Sequence, residues 1–285
     1  METRMPDFAG SWYPSRESDC RALIQEFIRE AGALPSTGKP PVGGIVPHAG
    51  WVYSGKIACN VIRCLKEGNP APDTMLIFGR HLPPGGRNHI MKEGRWATPL
   101  GNLEIDSDLA ERLTAEFPFV VETVNRHGQD NTIELQLPFV KYFCPDINIL
   151  PLGIPPSDSS LEIGKRAVEI AGELGRRVVV LGSTDLTHYG WNYGYTPEGV
   201  GEKAVEWVKN ENDRRVIERM LALDAAGVVR ESLRNQNACC GGAVAAAIAG
   251  ARELGAAHGL KLFYMTSYDI QKNDSFVGYV GIVFS

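Results

Sequence analysis

The segment GGIVPHAGWVYSG, residues 43–55, decides how the chain is read. Ile45 and Val46 belong to a short apolar run, predicted as a strand over 42–46, and Pro47 and Gly50 stop it. His48 lands at that stop, either as a packed loop residue or as a ligand. Ser54 is read as the N-cap of a helix over 54–66, with Ile57, Val61, Ile62 and Leu65 on one face.

Outward from this segment, strands and helices alternate. The runs TMLIF (74–78) and RVVVL (177–181) are short, continuous and apolar, as strands buried on both faces are. Further strands are predicted over 147–150, 262–265 and 277–284. Helices are predicted over 15–31, 160–174, 202–209, 213–222, 225–234 and 240–254. Another runs over 107–117, capped by Asp106 or Ser107, and one over 132–142 kinks or breaks at Pro138. The order implies a single α/β domain over 1–285, its mostly parallel or mixed central sheet flanked by helices. The stretch GALPSTGKPPVGG (32–44) has the length of a loop inside that domain.

With 285 residues, 44% apolar and 22% charged, the chain can bury a normal core without metals or disulfides. A net charge of −5 and the lack of a basic tract argue against a nucleic-acid partner. The longest apolar run, AVAAAIAGA, is too short to span a bilayer. The opening METRMPDFAGSWYPS lacks the apolar centre of a signal peptide, so a cytoplasmic protein is expected. None of the six cysteines forms a CxxC pair, which removes zinc-ribbon and thioredoxin readings.

Three histidines occupy equivalent places. His48 follows GIVP, His81 follows TMLIFGR, and His188 follows RVVVLGSTDLT. Each lies just past the carboxyl end of a predicted core strand, the edge where open α/β sheets form ligand crevices. His89, His127 and His258 are read as surface residues. In NQNACCGGAVAAAIAG, Cys240 opens a helix whose dipole favours a thiolate, with Cys239 an equal competitor. Two imidazoles and a thiolate suit Fe(II), Zn(II) or Cu, and three ligands leave positions open for substrate. Asp185 either caps its turn or joins the site. Trp51, Tyr53 and Tyr189 flank the candidate ligands, as an aromatic wall or as packing residues.

The ordered motifs FAGSWYPS, PHAGWVYSG, TPLGNLEID, NTIELQLPF, GSTDLTHYG, CGG and SFVGYVGIVF resemble, nearly end to end, those of the Memo family, which includes the AmmeMemoRadiSam system protein B group. The resemblance implies the fold of class III extradiol dioxygenases. It makes His48 and His81 the metal histidines, Cys240 the metal cysteine, and Asp185 with His188 the pocket pair. Two departures stand out. Gly79-Arg80-His81 is one residue shorter than the family's usual Gly-Pro-Ser/Asn-His. Asn131 stands where the family commonly has a histidine; it hydrogen-bonds but does not transfer protons near neutrality.

The expectation is a metal-dependent enzyme, with Fe(II) foremost and Zn(II) or Cu as alternatives, acting on a small molecule, phenolic ones included. The chemistry would be dioxygenase-like, oxidoreductive or Lewis-acid. His188 would serve as acid/base and Asp185 would orient it. Trp51, Tyr53, Asn131 and Tyr189 would contact substrate. The alternative is a non-enzymatic metal-binding, phosphopeptide or adaptor protein using the same pocket. Neither a membrane nor a nucleic acid is expected as partner, and the oligomeric state is left open.

Overall fold

The apolar runs 43–46, 74–79, 148–153 and 178–183 lie side by side at the middle of a nine-stranded mixed sheet. The structure, a computed structural model, describes residues 2–36, 38–66 and 71–285; residue 1 of the predicted domain and residue 37 of the 32–44 loop lie outside them.

In chain order the elements are β1 (Thr3–Arg4), α1 (Glu17–Ala31), β2 (Gly43–Val46), α2 (Trp51–Leu65), β3 (Thr74–Gly79), β4 (Asn88–Met91), β5 (Arg95–Thr98) and β6 (Gly101–Glu104). There follow α3 (Ser107–Glu116), β7 (Phe119–Glu122), α4 (Asn131–Glu134), α5 (Leu137–Phe143), β8 (Asn148–Gly153), α6 (Asp158–Glu173), β9 (Val178–Ser183) and β10 (His188–Tyr189). The chain closes with α7 (Glu202–Trp207), α8 (Asp213–Leu221), α9 (Ala225–Asn235), α10 (Gly241–Glu253), β11 (Gly259–Thr266), α11 (Ser267–Ile270) and β12 (Phe276–Phe284).

The main sheet has the order β10-β12-β2-β9-β3-β8-β4-β7, with β11 on β12. Its centre, β2-β9-β3-β8, is parallel, with Val46 opposite Ser183 and Phe78 opposite Gly182. The carboxyl ends of β2, β3 and β9 therefore open on one edge. β12, β11, β10 and the β4–β8 pairing add antiparallel neighbours, so the sheet is mixed. All residues of β2, β3, β9 and β12 are buried, as continuous apolar runs require.

Alanine-rich α10 packs close because its residues are small. A Cβ on Gly164 of α6 would sit 2.1 Å from the Ala246 carbonyl oxygen, and one on Gly242 would sit 2.2 Å from that of Pro155. Only glycine permits either approach, and together they press the start of α10 against the sheet edge.

The observed elements differ from the sequence reading in three places. α2 begins at Trp51, three residues ahead of the expected Ser54, because Gly50 serves as N-cap and the Ser54 hydroxyl instead donates to the Ala49 carbonyl. The helix expected over 132–142 is two pieces, with Pro138 in the first turn of the second, where its missing N–H costs nothing. The strands β1, β4 to β7 and β10 and the short helix α11 were not expected; β1, β5 and β6 form a separate three-stranded sheet. Asp106 does cap α3, accepting from the Leu109 amide.

Candidate metal centre

His48 leaves the end of β2 and is 1% exposed. Its amide donates to Asp185 Oδ1 at 2.7 Å, joining the loops that follow β2 and β9. Its ring Nδ1 lies 2.9 Å from Ser183 Oγ, and that hydroxyl donates to the Thr132 carbonyl at 2.7 Å. A hydroxyl that has spent its proton can only accept, so Nδ1 carries the ring hydrogen in the neutral tautomer. Nε2 is then left with its lone pair facing the cysteines, as a metal-binding imidazole requires.

α4 and the turn between it and α5 clamp the same loop. Asn131 Nδ2 donates to the His48 carbonyl at 3.0 Å, and Gln136 Nε2 donates to that of Pro47 at 3.0 Å. Glu134 faces the other way, accepting from the amides of Asp7 and Phe8 and from the Tyr13 hydroxyl. The motifs FAGSWYPS, PHAG and NTIELQLPF are thereby tied into one support.

The short loop after β3 still brings His81 to the site. Arg80 adopts a left-handed φ of 76°, unusual for a residue with a Cβ, and its amide donates to Thr132 Oγ1 at 2.6 Å. That turn sets the His81 ring edge-on to His48, centroids 4.8 Å apart.

The two cysteines arrive from the start of α10. The Cys239 amide donates to the Asp185 carbonyl, and the Asp185 amide points at Cys239 Sγ, 3.3 Å away. Cys240 donates its amide to Thr184 Oγ1 at 3.1 Å. Cys239 Sγ lies 3.3 Å from His48 Nε2, and Cys240 Sγ lies 3.5 Å from His81 Nδ1. One ligand atom from each of His48, His81, Cys239 and Cys240 falls within 4.8 Å of the others. Both cysteines that the sequence left in competition therefore join the cluster.

Burial works against charge at His48, but Asp185 and Cys239 outweigh it and lift the imidazole to about 9. Burial also opposes a thiolate at Cys239, yet the Cys240 thiol and His48 pull that group well below the usual range. Cys240, buried beside it, moves up instead. The cluster thus favours negative charge on sulfur balanced by a cation among nitrogen donors. Two imidazoles and two thiols fit a borderline divalent ion chemically. These four residues form a candidate metal site.

A cavity of about 580 Å³ opens over this cluster. His48, His81, Asp185 and His188 line it, with Asn131 and the aromatic rings of Tyr53, Tyr193 and Tyr279. His188 Nε2 lies 3.8 Å from Asp185 Oδ2, and its ring stacks on Tyr193. Burial would lower His188, but the nearby Asp185 and Cys239 raise it.

Two residues expected at the substrate are elsewhere. Trp51 is 2% exposed, stacks on Phe139 at 4.0 Å and donates its indole N–H to the Leu135 carbonyl. Tyr189 is fully buried against Phe276, its hydroxyl donating to the Gly199 carbonyl. Both are core residues. Tyr193 and Tyr279 take the places expected of them; alternation along β12 was the available signal for Tyr279, and Tyr193 had none.

The family of Memo-like proteins matches residues 4–283. A MEMO1 family protein of Pyrococcus abyssi is 36% identical over 98% of this chain and 98% of its own length. One from Methanopyrus kandleri is 35% identical over 99% of this chain and 98% of its own. An uncharacterized protein from Escherichia coli K12, known by crystal structure, shares the fold with a TM-score of 0.51 at 12% identity, over 80% of this chain and 92% of that one. The nearly full-length match to this family makes this chain a member of the Memo family.

Proposed function

We propose that the protein is a metal-dependent enzyme acting on a small, phenol-like substrate in the cavity over His48, His81 and Cys240. The observation that carries this reading is an aromatic-lined cavity walled by His48 and His81, the nitrogen donors of the N and S cluster, together with a carboxylate-paired histidine outside the donor set. When bound, the ion, with Fe(II) our first choice and Zn(II) or Cu next, supplies Lewis acidity that stabilises a substrate oxyanion.

The chain's own residues do the rest. Tyr53, Tyr193 and Tyr279 offer ring faces to an aromatic substrate. His188, whose imidazole Asp185 and Cys239 make more basic against the effect of burial, delivers or removes a proton as general acid/base. Asp185 positions that ring while fixing the His48 loop through its other oxygen. Asn131 holds the loop and contributes no proton.

A second reading, an adaptor that holds a peptide in the same cavity, draws on the exposed rim residues Trp12 and Tyr53. One experiment separates the two. Protein prepared anaerobically and loaded with Fe(II) is assayed against catechol-type phenols with and without O₂, alongside His48→Ala and His188→Gln. The enzyme reading expects turnover that His48→Ala abolishes and His188→Gln lowers by about 10²–10⁴-fold. No turnover under either atmosphere, with peptide capture surviving in His48→Ala, contradicts it.

A further inference from the structure

A second cavity, about 890 Å³, shares no lining residue with the first. Three guanidiniums line it, Arg80, Arg87 and Arg126, against a single carboxylate, Glu122. That carboxylate is already engaged. Arg80 Nη1 lies 2.7 Å from one of its oxygens. Arg4, 1% exposed and stacked over Trp96, reaches the other at 3.5 Å. Arg87 and Arg126 are exposed, and among the described residues neither side chain has an ion-pair partner.

His89 and His127 also line this cavity, so two of the histidines read as surface residues are placed with purpose. Burial, with Arg80 close by, holds His89 below the ordinary range, and its Nδ1 is buried without a hydrogen-bond partner. The nearest acidic oxygen to it is that of Glu122, 3.5 Å away. His127 is met by Asp7 at 3.7 Å, a residue outside the lining.

The net charge of the chain is −5, yet this cavity carries an excess of positive charge. A cleft lined by one sign focuses the field and concentrates ions of the other sign. Guanidiniums read phosphate and carboxylate oxygens with paired N–H donors. Its volume is that of a small-molecule site.

We infer that this cavity is a second ligand site, independent of the metal cluster, that takes a small polyanion bearing phosphate or carboxylate groups between Arg87 and Arg126. Glu122, paired with Arg4 and Arg80, leaves the charge of Arg87 and Arg126 uncompensated in the lining.

The test titrates the full-length protein at low ionic strength with inorganic pyrophosphate and, separately, with citrate, by calorimetry. Saturable binding is expected for at least one. It weakens about tenfold or more in Arg87→Ala/Arg126→Ala, as loss of charge-assisted hydrogen bonds implies. His48→Ala, in the other cavity, and Arg29→Ala/Arg214→Ala, exposed arginines elsewhere, bind as the parent does. Pyrophosphate alone assigns a phosphate ligand, citrate alone a polycarboxylate, and both a site that reads charge. Absence of saturable binding to either, or equal weakening in the Arg29/Arg214 control, overturns the inference. Arg87 and Arg126 are exposed and without ion-pair partners among the described residues, so the double variant keeps the fold, which matching thermal melts check.

Discussion

At the carboxyl edge of β2 and β9 the polar side chains of His48, Ser183 and Asp185 are short, buried and held from behind. His48 rests on Ser183, Asp185 on the His48 amide, and Cys239 on the Asp185 amide. Beside β4 and β7 two long side chains, Arg87 and Arg126, reach into solvent with no ion-pair partner among the described residues. The first region orients its donors through hydrogen bonds from behind, as metal coordination demands. The second supplies charge without fixed geometry, which suffices for a polyanion. A fold can carry both because the parallel centre of the sheet is rigid while short strands at its far edge leave open space beside them.

Three measurements break or sharpen that contrast. The largest effect is expected beneath the rigid region. Trp51→Ala removes a ring stacked on Phe139 and should cost about 3–5 kcal/mol of stability by denaturant unfolding. Arg87→Ala/Arg126→Ala should change stability by no more than about 0.5 kcal/mol. A small loss in Trp51→Ala would show that the site does not lean on that core.

Next comes Ser183→Ala, which leaves every candidate ligand in place but frees His48 Nδ1. Metal affinity should fall about 10–100-fold in a competition titration, with little change in fold stability. Unchanged affinity would mean that the hydroxyl does not orient the ring.

The smallest effect concerns Asp213, fully buried beneath the His188 loop, where it accepts from the amide and hydroxyl of Thr187 and from the Tyr264 hydroxyl. Burial outweighs those bonds and raises its carboxyl from 3.8 to about 6. The folded state therefore holds a proton that the unfolded chain has released. Stability contributed by this group is fully present below 3.8, is lost as pH rises towards 6 and levels off above. The stability difference between the parent and Asp213→Asn should shrink over that window. A difference that grows with pH would reverse the assignment.

The rigid region was the more legible of the two. TMLIF and RVVVL announce strands buried on both faces, and the histidines beyond them fall where parallel strands end. Of the missed strands, NHIM, RWAT and GNLE mix polar with apolar side chains, and these and FVVE are four residues each, too short for either period to show. Trp51 misled because it adjoins a candidate ligand in sequence. Helical spacing places it with Ala58 and Ile62 on the buried face of α2, while Tyr53 turns outward. The cavity beside β4 and β7 depended on those unseen strands, so its arginines looked like isolated surface charges. The reach of His81 depended on the left-handed Arg80, a conformation that no local residue preference signals.

X-ray absorption at the metal edge of zinc-loaded protein tests the central claim most directly. The account predicts a nearest-neighbour shell of nitrogen at about 2.0–2.1 Å and sulfur at about 2.3 Å, with the sulfur signal lost in Cys239→Ser/Cys240→Ser. A shell of nitrogen and oxygen alone in the parent protein would contradict it.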